Sequence, residues 1–159
     1  MPYADERTLP TPERREWRWS NVPLPEAHLG LGALGLVLNR RLPRRITSPS
    51  TARRIGWPLV LAGVALAAWA TRSAGEINLE RPDQLVIIGP YAASRHPMYV
   101  AWTLIFLGIA FVANTVWLLL LQPPVAVFTH REVRREEERL KEAFGGQYEA
   151  YRARVRRYL

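Results

Sequence analysis

The chain has 159 residues, enough for one domain, with 22 Lys+Arg against 14 Asp+Glu and a net charge of +8. A mean hydropathy of −0.11 would suit a soluble protein, but residues 27–39, 55–71 and 96–129 contain no Asp, Glu, Lys or Arg at all. Soluble amphipathic elements each need a wet face, so this segregation excludes a soluble globule and describes a membrane protein with wet, basic ends. The absence of cysteine excludes disulfide frameworks, thiolate nucleophiles and Cys-based metal centres. Three scattered histidines, His28, His96 and His130, make no metal site. The basic excess suits anionic lipid and membrane topology rather than nucleic acid.

In chain order, residues 1–24 form a polar, Pro-containing arm, with Trp17 and Trp19 among arginines at a membrane interface. No apolar signal-peptide region is expected there. The rest, 25–159, reads as a single domain. The first span runs over 25–41, with Gly30, Gly32 and Gly35 permitting close helix contact and His28 a structural residue. A loop over 40–54 holds six arginines. The second span is 55–71, with Trp57 and Trp69 near its ends and Pro58 in its first turn. A polar connector follows, ending in the strand-like run Leu85-Val86-Ile87-Ile88 and a Gly89-Pro90 turn.

The 34 uncharged residues of 96–129 would make one helix about 51 Å long, well beyond a hydrocarbon core of about 30 Å. They form either one span with a break at Pro123-Pro124 or a hairpin turning at Ala113-Asn114-Thr115. Asn tolerates the left-handed turn and Thr115 can cap the next helix. Beyond His130 the apolar residues Leu140, Phe144, Tyr148, Tyr151 and Val155 follow a helical period, interrupted by Gly145-Gly146.

Two clusters could carry chemistry. The first is Gly89-Pro90-Tyr91 followed by Arg95-His96-Pro97 and Tyr99, where Pro97 starts a helix and Arg95 and His96 stand at its N-terminus. The second is Glu136-Glu137 with Leu140, Phe144, Tyr148, Tyr151 and Arg157. In this order, separated by two helix lengths of apolar sequence, they resemble the isoprenylcysteine carboxyl methyltransferase and phospholipid methyltransferase family of integral-membrane enzymes. The resemblance covers Gly89 to the C-terminus, and residues 27–71 share only hydropathy with it. Many members carry Pro before the last motif arginine, where this chain has Arg156.

The chain therefore reads as an all-α, polytopic protein of about four membrane helices, 25–41, 55–71, 98–113 and 115–129, and the resemblance favours the hairpin. The last two form the hairpin, and the last continues, kinked at Pro123-Pro124, into a cytosolic helical tail over 130–159. With both ends inside, 16 Lys+Arg face the cytosol against six outside, although the 40–54 loop opposes the rule locally. The implied activity is S-adenosylmethionine-dependent methylation of a lipophilic acceptor from the bilayer, at the cytosolic face of the cell membrane. Gly89, Tyr91, Arg95, His96, Tyr99, Glu136 and Glu137 would bind the cofactor. Arg95 and His96 suit its carboxylate, Glu136 or Glu137 its ammonium or ribose, and the tyrosines its adenine or sulfonium.

Glu137 or His130, two helical turns apart on one face, would take the acceptor's proton. Met98, Trp102 and Arg157 would meet the acceptor, with the Met98–Trp102–Ile105 face as a lateral entrance. Arg152, Arg154, Arg156 and Arg157 also suit lipid headgroups. Two other readings are a non-catalytic membrane scaffold or sensor of the same fold, and an NADPH-dependent membrane reductase.

Overall fold

The computed structural model describes residues 26–75 and 84–158. The N-terminal arm, with Trp17 and Trp19, lies outside these residues. Five α-helices make up the described chain: α1 (Glu26–Arg41), α2 (Pro49–Ala74), α3 (Pro97–Val112), α4 (Val116–Phe144) and α5 (Gly146–Arg154), with a 3-10 turn over Gly89–Ala92 before α3. Among the described residues the only β-type pairing is an isolated parallel bridge between Ser94 and Arg156. The all-α expectation holds. Leu85 to Ile87 is irregular rather than strand, because no other extended segment among the described residues pairs with it to take its backbone hydrogen bonds.

α2 begins six residues before the apolar block. Ser48 is its N-cap, its Oγ accepting from the Thr51 N–H at 3.3 Å, and Pro49 occupies the first turn. Pro58 is therefore inside the helix, not in the first turn. Gly75, at φ +59°, closes the other end by donating its N–H to Thr71 O at 3.1 Å.

The long uncharged block is a hairpin. Asn114 takes φ +48°, and its side chain locks the turn onto the preceding arginine-rich loop. Oδ1 accepts from Ile46 N (2.9 Å) and Thr47 N (3.1 Å), and Nδ2 donates to Thr47 O (2.8 Å). Trp117 Nε1 donates to Leu42 O at 2.6 Å. Thr115 holds the N-cap position, but its hydroxyl makes no capping bond and is buried without a partner among the described residues. α4 runs as one helix through Pro123-Pro124 and stops at Gly145, φ +50°. The tail is thus the end of α4 plus a separate α5, as the Gly145-Gly146 break predicts.

α2 and α3 run antiparallel along a stripe of small residues. A methyl group on Gly56 would stand 2.8 Å from Gly108 O, and one on Gly63 2.8 Å from Ala101 O. α1 runs antiparallel to α4, where Gly35 faces Leu118 and Leu121. Gly30 meets nothing within 4 Å and Gly32 only Phe106 at ordinary contact distance, so of the three α1 glycines only Gly35 serves close packing. Two apolar clusters result: Ala70, Ala74, Val86, Tyr91 and Met98 at one end of the bundle, and Phe106, Ala110, Leu118 and Val125 between α3 and α4.

Large apolar side chains stay exposed on the outside of α1, α2 and α4, among them Val37, Trp57, Leu61, Trp69, Leu120 and Phe128. α2 is long and apolar enough to cross a membrane; α3 is apolar but has only 16 residues. The connecting geometry gives the bundle two ends. One holds the 42–48 loop and the Asn114 turn. The other gathers the segment before α3, the charged half of α4, and α5.

Candidate functional site

The site forms where the chain enters α3. Gly89 is at φ +60°, and any side chain there would collide with Ser73. Pro90 follows in the 3-10 turn, and its carbonyl oxygen accepts from both the Ala93 N–H at 3.2 Å and the Ser94 N–H at 3.0 Å. His96 holds the N-cap position of α3 at φ −129° and ψ 58°, outside the helical region that Pro97 disfavours but short of the extended conformation expected before a proline.

This corner is stitched to the chain's last residues. Arg95 N donates to Arg156 O at 2.9 Å, and Ser94 Oγ donates to Arg157 O at 3.3 Å while accepting from His96 N at 3.2 Å. Tyr151 OH reaches back from α5 to Tyr91 O at 2.6 Å. Ser94, buried and satisfied at both ends, carried no sequence signal. Asn78 and Arg81 of the connector lie outside the described residues.

Glu137 of α4 is the centre of the arrangement. Arg95 Nη2 donates to its Oε1 at 2.7 Å; Arg157 donates Nε to Oε1 at 2.9 Å and Nη2 to Oε2 at 2.7 Å. His96 Nε2 lies 3.3 Å from Oε1, and His96 Nδ1 lies 3.6 Å from Glu136 Oε2. Side-chain exposure is 2% for His96, 6% for Arg95, 10% for Glu137 and 31% for Arg157. The two sequence clusters therefore meet in one buried network, closed by a bidentate Arg157 fork of the strong, geometrically selective kind.

The electrostatics follow from these contacts. Burial alone would raise the Glu137 carboxyl, but hydrogen bonds from His96 and Arg157 and the charges of Arg95 and Arg157 outweigh it and hold it well below the usual range. Burial would lower His96, yet hydrogen bonding and charge from Glu136 and Glu137 hold it above 6.5. Burial, then the charge of Glu137, pushes Tyr148 up to about 12. Burial followed by Glu136 likewise raises Tyr91. Both phenols are therefore donors at neutral pH. A carboxylate fixed by two guanidinium groups is a poor proton acceptor, so Glu137 is fitted to organise cations.

His130 stands apart. Seven residues place it on the Glu137 side of α4 but about 10 Å away along the axis. It is exposed and its Nδ1 lies 3.1 Å from Tyr158 OH. Two of the three residues of the Met98–Trp102–Ile105 face meet α2: Met98 packs on Ala70 and Ala74, and Ile105 lies over Gly63, while Trp102 is half-buried and its indole Nε1 has no partner among the described residues. Two other grooves flank Tyr99, whose ring stands edge-on to His96 at 5.9 Å. One, of about 670 Å³, separates α1 from α4; the other, of about 820 Å³, lies between α3 and α4 beside His130 and Tyr158.

An α-helical bundle with exposed apolar side chains on three helices, one of them long enough to span, and a buried polar cluster at one end suits a membrane protein. Residues 52–147 match the family model described as phospholipid methyltransferase. The chain belongs to that family. No curated protein matches it. The matched stretch holds Arg95, His96 and Glu137, while α1 and Arg157 lie beyond it.

Proposed function

We propose that this protein transfers a methyl group from S-adenosylmethionine to a lipophilic acceptor, at the cytosolic face of the cell membrane, through four membrane helices: α1, α2, α3 and the first half of α4. The observation that carries the reading is the meeting of Arg95-His96 with Glu136-Glu137, with buried hydrogen-bonding atoms left over around it. Tyr91 OH, Tyr148 OH and Arg95 Nε are buried with no partner among the described residues. Such atoms are rare in native proteins and call for a ligand or water.

Their chemistry fits the cofactor. Arg95 and the start of α3 suit a carboxylate; Glu136, less committed than Glu137, suits an ammonium; the two phenols suit ribose or adenine. Bound there, the cofactor supplies a methyl group on a sulfonium. The protein's own work is then positioning and exclusion of water. Glu137 holds Arg95 and Arg157 in place, His96 fixes the corner against Glu136, and Tyr99 separates this corner from the two membrane-facing grooves.

Calorimetry on the purified protein tests the reading. S-adenosylhomocysteine should bind, and His96→Ala and Arg157→Ala should each weaken it by about 1–3 kcal/mol, the range for a lost partner of a charged group. Arg154→Ala, an exposed change outside the network, should leave it alone. NADPH bound in place of S-adenosylhomocysteine would reject the methyl-transfer reading.

Topology has its own test, because the chain is free of cysteine. Ser50→Cys, Ala93→Cys and Gln147→Cys place single thiols at exposed positions. In intact cells an impermeant maleimide should label the first and spare the other two. Labelling of Ala93→Cys would reverse the proposed orientation.

A further inference from the structure

His28 lies in the first turn of α1 and reads from the sequence as structural, yet its surroundings do not satisfy it. It is 7% exposed, its ring edge meets Phe106 at 5.6 Å, and Nε2 is buried with no hydrogen-bond partner among the described residues. A buried ring nitrogen without a partner costs folding free energy and would be cheaply replaced by an apolar side chain. His28 also lines the cleft of about 670 Å³ between α1 and α4, together with Leu31, Tyr99, Phe128, Thr129 and Glu132. Tyr99 joins that cleft to the His96 corner.

We infer that this cleft holds the head of the methyl acceptor, with His28 as its hydrogen-bond partner, and that the head is an uncharged hydroxyl on an apolar body, whose proton would pass to His28 Nε2 as the O–CH3 bond forms and the S–CH3 bond of the sulfonium breaks to leave a thioether. The assignment rests on the methyl-transfer reading above. Three features select the class. The buried contact is a single imidazole nitrogen, not a guanidinium fork suited to carboxylate or phosphate. The charged residues of the cleft balance, Glu26 and Glu132 against Arg131 and Arg135, and Arg135 Nη1 is already committed to Glu132 at 2.6 Å. The remaining wall, Ala27, Leu31 and Phe128, suits a hydrocarbon body.

The groove on the other side of Tyr99 offers less. Its histidine, His130, is exposed and already beside Tyr158. Because α1 precedes the family-matched residues 52–147, acceptor choice would come from an element outside the matched core.

Histidine-labelled full-length protein in lipid nanodiscs allows the test, since its three histidines report three places. Dodecan-1-ol should move the His28 ring signals saturably while leaving His130 unchanged, and dodecanoate and dodecyl phosphate should bind at least tenfold more weakly. His28→Phe should weaken dodecanol binding about tenfold, and His28→Gln should restore part of it. A His96 response to S-adenosylhomocysteine verifies that each variant is folded. S-adenosylhomocysteine binding with His28 unmoved by every probe overturns the cleft assignment and leaves the methyl-transfer reading standing. Equal binding of dodecanoate, or of dodecanol to His28→Phe, overturns the head-group assignment. Dodecanol at His28 with no S-adenosylhomocysteine binding overturns methyl transfer, and with it the acceptor role.

Discussion

Glu137→Gln is expected to lower stability by about 3–5 kcal/mol, the cost of breaking a buried ion network from one side. The amide keeps the shape and one acceptor oxygen but removes the charge that Arg95, Arg157 and His96 share. The last residues should loosen first, because Arg157 is their main side-chain tie to the bundle. Urea unfolding in detergent and trypsin cleavage after Arg154 or Arg156 would record both effects. The double change Glu137→Gln with Arg157→Gln should cost much less than the sum of the singles; strict additivity would refute the network.

The pH dependence has two arms. Glu137 is held below its ordinary value of 4.5, so its stabilisation is present above that pH and disappears as pH falls through the depressed native value. His96 is held above 6.5, so its stabilisation is complete below pH 6.5 and disappears as pH rises through the raised native value. The alkaline arm should vanish in His96→Asn.

The tail break at Gly145 was legible from local chemistry, a glycine at a helix end, whereas the overlong uncharged block and Asn114 made the hairpin one of two readings, and the family resemblance decided for it and for the pairing of the two motifs. The helix start at Ser48-Pro49 is also a local signal, but the charge-free window at Ile55 hid it behind Arg53 and Arg54. What stayed illegible depends on which helix faces which. Nothing in the spacing of Met98, Trp102 and Ile105 distinguishes a lipid-facing stripe from one pressed against α2. Arg157 looked like one of four headgroup anchors until the Ser94–Arg156 bridge placed it over Glu137. His28 is a similar case, its burial depending on the tertiary contact with Phe106. The Glu137–His130 separation shows the limit of helical periodicity, which gives the face but not the distance along it.

The glycines make the same point with a large expected effect. Gly30, Gly32 and Gly35 looked like a contact stripe, yet the closest helix approach belongs to Gly56, Gly63 and Gly108. A Cβ at Gly108 would lie 2.7 Å from Val60 N and 2.9 Å from Gly56 O; one at Gly56 would lie 2.7 Å from Val112 N. All three obstacles are backbone atoms, so no side-chain rotation can relieve them and the helices must part. Helix pairs in membranes depend on such close approach, since lipid supplies no hydrophobic drive to hold them together. Gly108→Ala should therefore destabilise by about 1–3 kcal/mol and Gly108→Leu by more, despite the better helix propensity of both residues. The damage should reach the site, because the far end of α2 supports Tyr91 and Met98 through Ala70 and Ala74. S-adenosylhomocysteine affinity should fall in Gly108→Leu although the residue lies three turns from His96. Gly30→Ala is the control: its Cβ meets nothing within 4 Å, so it should be neutral or gain up to about 1 kcal/mol. If thermal unfolding ranks Gly30→Ala as the more damaging change, the α2–α3 contact does not hold the bundle together.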